Sequence, residues 1–444
     1  MPARQTNQRT SPDRSDHIVS CLEEGLAHLI DRDPEAFRRR FRRMAKEPFA
    51  FFRGSTPLFY SDVSAIDDPW AAGELARIWI HGDLHVENFG TYMDSRGVLV
   101  FDVNDFDEAY LGHFTWDLLR CAASIGLVAW RKAFPDGVID ELVGRYVRAY
   151  VAQVQRYVEE DDDHVWSLRL DNAEGAVRET LLEARRATRR HLLDAETALD
   201  GDRRRFRDGG GFRVLDDGER ESVLAAVDDY LATIPADKRL GGVAYEIKDV
   251  AGRSGFGIGS AGLGAYNLLL EGRSQALQDD VVLSLKEGNV AAPGAVVHDE
   301  RLDGAFDHHG HRTALSQRAL QVHADPYLGW TRLDGLGYVV RELQPWEVDL
   351  DWDDVGEPDE VARLVEDLGR ATAKVHCVSD ADAESIIVKG HVEDLVMDRV
   401  GDEVDELVDW VRDEAELIAE RTRADHAMFV DAFRGGAFGG VRAV

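Results

Sequence analysis

The chain has 444 residues and a formal net charge of −32, with 52 basic against 84 acidic side chains. Such a charge argues against nucleic acid and anionic membrane as partners, because both demand a basic face. No run of about 18 apolar residues suggests a membrane span, and Cys21, Cys121 and Cys377 show neither metal-type spacing nor a disulfide framework.

A hydrophobic share of 44% supports a globular body of two or three lobes at this length. The polar start, MPARQTNQRTSPDRSD, lacks an apolar signal core, so a cytoplasmic product is expected. Lysine is scarce, seven against 45 arginines. Many carboxylates with few lysines suggest a halophile's acidic proteome, in which high net charge keeps proteins soluble in salt. Each remaining lysine therefore draws notice.

Residues 1–15 read as a disordered tail, and 16–239 as a large helical lobe. Within it, AFRRRFRRMAKEP predicts a basic amphipathic helix, followed by FAFFRGSTPLFYSDV. A strand is expected over Ala76–Ile80, then the loop HGDLHVENFG, then a second strand, GVLVFDV. A helix is expected from about Thr115, with CAASIGLVAW as its buried stretch. From Asp136 to Thr233 the pattern is helical, with i, i+3, i+4 apolar spacing in VGRYVRAYVAQVQRYV and SVLAAVDDYLATI. EEDDDH (Glu159–His164) reads as a solvated acidic loop, and EARRATRRHLL as a solvated helix face.

Composition changes at Leu240, and 240–345 reads as a glycine-rich, strand-rich small lobe. There Gly257, Gly259 and Gly262 satisfy G-x-G-x-x-G, a spacing that lets backbone amides close over phosphates. A Rossmann turn would open a helix, whereas AYNLLLEG reads as a strand leading through RSQALQDD into VVLSLKEG, a hairpin ending on Lys286. DHHGHR (Asp307–Arg312) reads as a polar surface turn rather than a zinc site. Residues 346–444 begin with the acidic linker DLDWDDVGEPDE and return to helix in VARLVEDLGRATAKVH.

The stretch His81–Asp117 carries the chemistry. Asp83 and Asn88 stand in H-G-D-x-x-x-x-N, and Asp105 follows in DFDEA just past an apolar strand. Phosphoryl transfer needs a group to orient the attacking hydroxyl and oxygen ligands to hold magnesium over the phosphates. One loop and one turn offer all three.

These residues resemble the aminoglycoside phosphotransferase and choline kinase pattern, a catalytic H-G-D-x-x-x-x-N loop before a metal-binding D-F-G-D-type turn and a later aromatic-Asp-Leu. Asp105, Phe106 and Asp117 match that register, and Asp107 replaces the glycine. Together with FAFFRGS and LGW (Leu328–Trp330), residues 35 to 435 resemble the uncharacterised family called domain of unknown function 2252. LGRATAKVH resembles the helix that in such kinases lies just upstream of the catalytic loop. All parts are there in rotated order. The resemblance thus implies an α+β, two-lobed, protein-kinase-like fold, circularly permuted, which is sterically feasible when termini lie close together.

The implied activity is an ATP- and magnesium-dependent phosphotransferase acting on an unidentified hydroxyl acceptor, with a small molecule expected. Asp83 is the expected catalytic base, Asn88, Asp105 and Asp107 the magnesium ligands, Lys286 the phosphate clamp, and Gly257–Gly262 the lid. His81 and His85 are expected to brace the loop. Asp117 either caps its own helix or ties the loop down. The carboxylate that usually orients such a lysine is open between Glu300 and a substitute, Gln317. RELQPWE (Arg341–Glu347) is a candidate hinge against adenine. Two alternatives are a catalytically silent, nucleotide-binding pseudokinase scaffold and a metal-dependent phosphoesterase, though no D-x-H motif for the latter precedes the loop.

Overall fold

The computed structural model describes residues 11–71, 73, 76–160, 162–207, 209, 211–241, 243–253, 263–321, 323–380 and 387–443. It is a mixed α+β protein. Among the described residues, no helix is long and apolar enough to cross a membrane.

Helix α1 (Ser11–Ile30) opens inside the stretch expected to be a tail. Its Arg14 explains the order there, bridging Asp62 and Asp425 at 2.5 Å each. Helices α2 (Pro34–Met44), α3 (Pro48–Gly54) and α4 (Thr56–Val63) follow, each with proline in its first turn, where the missing N–H goes unneeded.

Four short strands then make two nested antiparallel pairs. β1 (Ile78–Ile80) pairs with β4 (Tyr110–Gly112), and β2 (Phe89–Met93) pairs with β3 (Leu99–Val103). The expected strands correspond to β1 and β3, whereas β2 falls within and just past the motif loop and went unread. The nesting has a consequence. The loop from β1 to β2 and the turn from β3 to β4 leave the same ends of adjacent pairs and meet.

Helix α5 (Phe114–Arg131) is buried along almost its whole length. Helix α6 (Asp136–Glu160) buries one stripe, including Val143, Tyr146, Val147, Tyr150 and Val154, as its spacing predicts. The helical run expected to Thr233 breaks after α7 (Gly175–Arg186) and α8 (Arg189–Glu196), where Thr197–Asp200 and Arg203–Phe206 form a hairpin, β5–β6. EARRATRRHLL is correspondingly two helices, and Arg189 is not simply solvated: its guanidinium pairs at 2.6 Å with the buried Glu342.

The second body is a six-stranded antiparallel sheet of order β11-β12-β10-β9-β8-β7. Its strands are β7 (Phe212–Arg213), β8 (Ile247–Arg253), β9 (Ala265–Leu270), β10 (Val281–Glu287), β11 (Gly329–Leu333) and β12 (Leu336–Glu342). The expected hairpin is β9–β10, with Lys286 opposite Ala265 and Val339. Helix α9 (Asp217–Thr233) joins the core of this sheet through Val223, Val227 and Tyr230. Helix α10 (His309–Leu320) interrupts the strand-rich region. DHHGHR is therefore a helix start, not a surface turn: His308 caps it, accepting from His311 N at 3.0 Å.

The return helices α11 (Pro358–Cys377), α12 (Val392–Val400) and α13 (Val404–Gly435) pack back on α5 and α6, completing the first core. Gly369 of α11 is required there, since a Cβ would lie 2.3 Å from Tyr146 O of α6.

Candidate functional site

The loop after β1 is pinned from behind. Asp117, in the first turn of α5, accepts from His81 N at 2.6 Å and Gly82 N at 3.0 Å. Of the two expected roles, tying the loop down is the one realised. His376 of α11 stands 3.2 Å from the same carboxylate and is itself fixed by Tyr150 Oη at 3.0 Å. Burial pushes the Asp117 carboxyl up, yet His376 and the loop amides outweigh it and hold the group below the usual carboxylate range. Gly82 has φ +83°, and a Cβ there would strike Glu108 O at 2.1 Å, so this place in the motif admits only glycine.

Within the loop, His81 Nε2 donates to Asn104 O at 2.7 Å while its Nδ1 accepts from Asp83 N at 3.3 Å. His81 braces the loop as expected. Asn88 Nδ2 donates to Asp83 O at 2.8 Å, which leaves its amide oxygen for a cation. His85 is buried, with Nε2 3.2 Å from Arg53 Nε and Nδ1 without a hydrogen-bond partner among the described residues.

Asp83 has a partner that no motif announced. Arg120 of α5, wholly buried, donates from Nε to Asp83 Oδ1 at 2.6 Å. Its guanidinium lies over the rings of Phe52 and Phe59, 4.4 and 4.7 Å from their centroids. It also donates to Phe52 O and Thr56 Oγ1. The segment FAFFRGST thus forms the rear wall of the loop. Burial raises the Asp83 carboxyl above its ordinary value, and Arg120 opposes that rise. The signal that could have found it is a charge set inside the apolar face of α5.

The turn after β3 brings the second set. Asp105 has φ +57°, a left-handed conformation that aspartate tolerates better than most residues. Lys286 arrives from the other body: its Nζ lies 3.8 Å from Asp105 Oδ1 and pairs directly with Asp107. Burial pushes the Asp105 carboxyl up, but Lys286, His81 and Arg341 outweigh it and hold the group low. Asp107 goes the other way, raised by burial and by repulsion from Asp105 against the pull of Lys286. Arg312 of α10, fully buried, fixes the turn from beneath by donating to Asp107 O at 2.6 Å and Asn289 O at 2.9 Å.

Asn88, Asp105, Asp107 and Lys286 line one cleft of about 480 Å³ between the sheet and the helical body. Asp83 does not line it directly and joins it through Asn88. Thr313 and Gln317 of α10, with Gln321 at its C-cap, face the cleft. Of the two candidates for the lysine's orienting residue, Gln317 is therefore the one at the site, while Glu300 sits in a short 3-10 turn away from it. The carboxylates that actually engage Lys286 are Asp107 and Asp105. Gly257, Gly259 and Gly262 lie outside the described residues.

RELQPWE crosses between the bodies. Leu343 N donates to Val282 O at 2.8 Å, and Gln344 makes paired bonds with Met93 N and O at 2.8 and 3.1 Å. LGRATAKVH lies in α11, which grips the site at two points. Lys374 pairs at 2.5 Å with the buried Asp102 of β3, two residues before Asn104, and His376 holds Asp117.

No curated protein and no solved structure matches this chain. A family model described as "Uncharacterized protein conserved in bacteria (DUF2252)" matches residues 32–432, and the chain belongs to that family.

Proposed function

We propose that the protein is an ATP- and magnesium-dependent phosphotransferase with a circularly permuted, kinase-like arrangement, acting on a hydroxyl acceptor in the cytoplasm of a salt-adapted cell. One observation carries the reading. Lys286, the end of a sheet hairpin, meets Asp105 and Asp107, the turn that follows the Asp83–Asn88 loop, although the two segments lie far apart in sequence. An ordinary structural ion pair accounts for one lysine and one aspartate. It does not account for an asparagine oxygen, two carboxylates and a lysine sharing a cleft of ligand size.

The donor set fits a hard divalent cation: the Asn88 amide oxygen with the Asp105 and Asp107 carboxylates are all oxygen ligands. Magnesium bound by them would neutralise charge on the phosphates. Lys286 would release Asp107 and grip a phosphate in its place. Asp83, with Oδ1 held by Arg120, keeps Oδ2 to accept the hydrogen bond of an acceptor hydroxyl and take its proton. Arg120 fixes the direction of that carboxylate, Asn88 holds the main-chain carbonyl of Asp83, and Asp117 fixes the loop that bears it.

The Arg120 contact also favours a second reading, a nucleotide-binding scaffold without transfer, because a carboxylate paired with a buried guanidinium is a weaker base. Radiolabelled ATP, with the protein alone and with a panel of hydroxyl metabolites, separates the readings. Transfer that disappears in Asp83→Ala supports the phosphotransferase. Magnesium-dependent ATP binding with no turnover supports the scaffold. Phosphate-ester cleavage without nucleotide would replace both by a phosphoesterase.

A further inference from the structure

A second group of ligating side chains lies where α11 gives way to α12, away from the cleft. Asp380 follows the end of α11, His391 precedes the first residue of α12, and Glu393 sits in its first turn. One ligand atom from each lies within 4.8 Å of the others. His391 Nδ1 is 3.3 Å from Glu393 Oε1 and 3.9 Å from Asp380 Oδ2.

The burial of the carboxylates calls for an explanation. Asp380 and Glu393 have side-chain exposures of 1% and 7%. The α12 N-terminus answers part of it, since Val392 N donates to Asp380 Oδ2 at 2.9 Å. It does not answer Glu393 Oε2, which is buried and has no hydrogen-bond partner among the described residues. A desolvated, unpartnered carboxylate oxygen is strongly unfavourable, and the charges of Asp380 and Asp163 act on the same residue and add to the repulsion. A cation among the three ligand atoms removes both difficulties. An imidazole nitrogen with two carboxylate oxygens selects the borderline divalent metals, whereas calcium and magnesium prefer oxygen alone. His391 is about half exposed, so the position is open to solvent and an ion can enter.

We propose that Asp380, His391 and Glu393 form a zinc(II) site with three protein ligands, the fourth position falling to water. The ion staples the end of α11 to the start of α12. It acts on structure rather than chemistry, and its reach is readable: His376, in the last turn of α11, holds Asp117 and through it the His81–Gly82 amides. The site does not depend on the phosphotransferase reading.

Calorimetric titration of zinc chloride into the full chain tests it, using the wild type, His391→Ala, Glu393→Gln and Asp105→Asn. His391→Ala removes a half-exposed side chain and Glu393→Gln keeps shape, and the fold of both is checked by circular dichroism. The expected result is one zinc per chain in the wild type and in Asp105→Asn, with affinity weakened about tenfold or more in His391→Ala and Glu393→Gln, since even outer-shell changes cost that much. Zinc should also raise the wild-type melting temperature and not that of His391→Ala. The proposal is overturned by wild-type protein that takes up no zinc, by binding equal in His391→Ala and wild type, or by binding lost in Asp105→Asn instead.

Discussion

Replacing Arg120 with methionine keeps most of the side-chain volume over Phe52 and Phe59 but leaves Asp83 facing no cation. Breaking a buried pair from one side costs about 3–5 kcal/mol. Asp83 keeps 18% side-chain exposure, so the loss should fall at the low end, about 3 kcal/mol, measured by urea denaturation. A loss below about 0.5 kcal/mol, the size of ordinary surface changes, would show that the pair is ornamental. Asp83→Asn should be milder, because the amide oxygen still accepts from Arg120 Nε. At this scale the motif residues were legible: Asp83, Asn88, Asp105, Asp107 and Lys286 were named from the motifs and the resemblance they carry, and the last four line one cleft. Arg120, Arg312 and Lys374 were not. A buried cation is legible only through its partner, and each partner here lies dozens of residues away or is a backbone carbonyl.

Helix α11 approaches α6 so closely at Gly369 that any side chain must push the two apart. Alanine favours helix over glycine by about 1 kcal/mol, so propensity alone predicts that Gly369→Ala stabilises. Overpacking costs about 1–3 kcal/mol and should win, giving net destabilisation by thermal melting. A higher melting temperature for Gly369→Ala would mean that α11 does not sit tightly on α6. Among the elements, α6 and α11 were readable because each keeps a 3.6-residue apolar stripe over several turns, and α5 because its apolar run is long and closes on Arg131 and Lys132. β2 was not, being five residues long with Gly90 inside it. That glycine answers to tertiary packing, since Val348 O would lie 2.8 Å from a Cβ. α10 was missed because its buried face is polar, with Thr313, Gln317 and, at its C-cap, Gln321 turned to the cleft.

Across the whole molecule, acidity dominates. Burial pushes Glu342 from 4.5 up to about 8 and Asp367 from 3.8 up to about 6. A carboxyl raised in the folded state binds protons that the unfolded chain has already released, so stability falls as pH rises through the interval between the two values. The melting temperature of Glu342→Gln should therefore gain on that of the wild type between pH 6 and pH 8, and a difference that stays constant would show that Glu342 does not titrate there. The net charge of −32 adds self-repulsion that salt screens. Molar potassium chloride should raise the melting temperature, and equal stability in dilute buffer would remove the case for salt adaptation. The central claim also spans the molecule, since Lys286 of the sheet and Asp105 of the helical body must act on one nucleotide. Calorimetric titration of ATP, with and without magnesium, into wild type and Lys286→Met tests it most directly. We predict one magnesium-dependent binding event in the wild type and a loss of at least about tenfold in Lys286→Met, the equivalent of about 1.4 kcal/mol for one charge-assisted contact. ATP binding that ignores magnesium and survives Lys286→Met unchanged would contradict it.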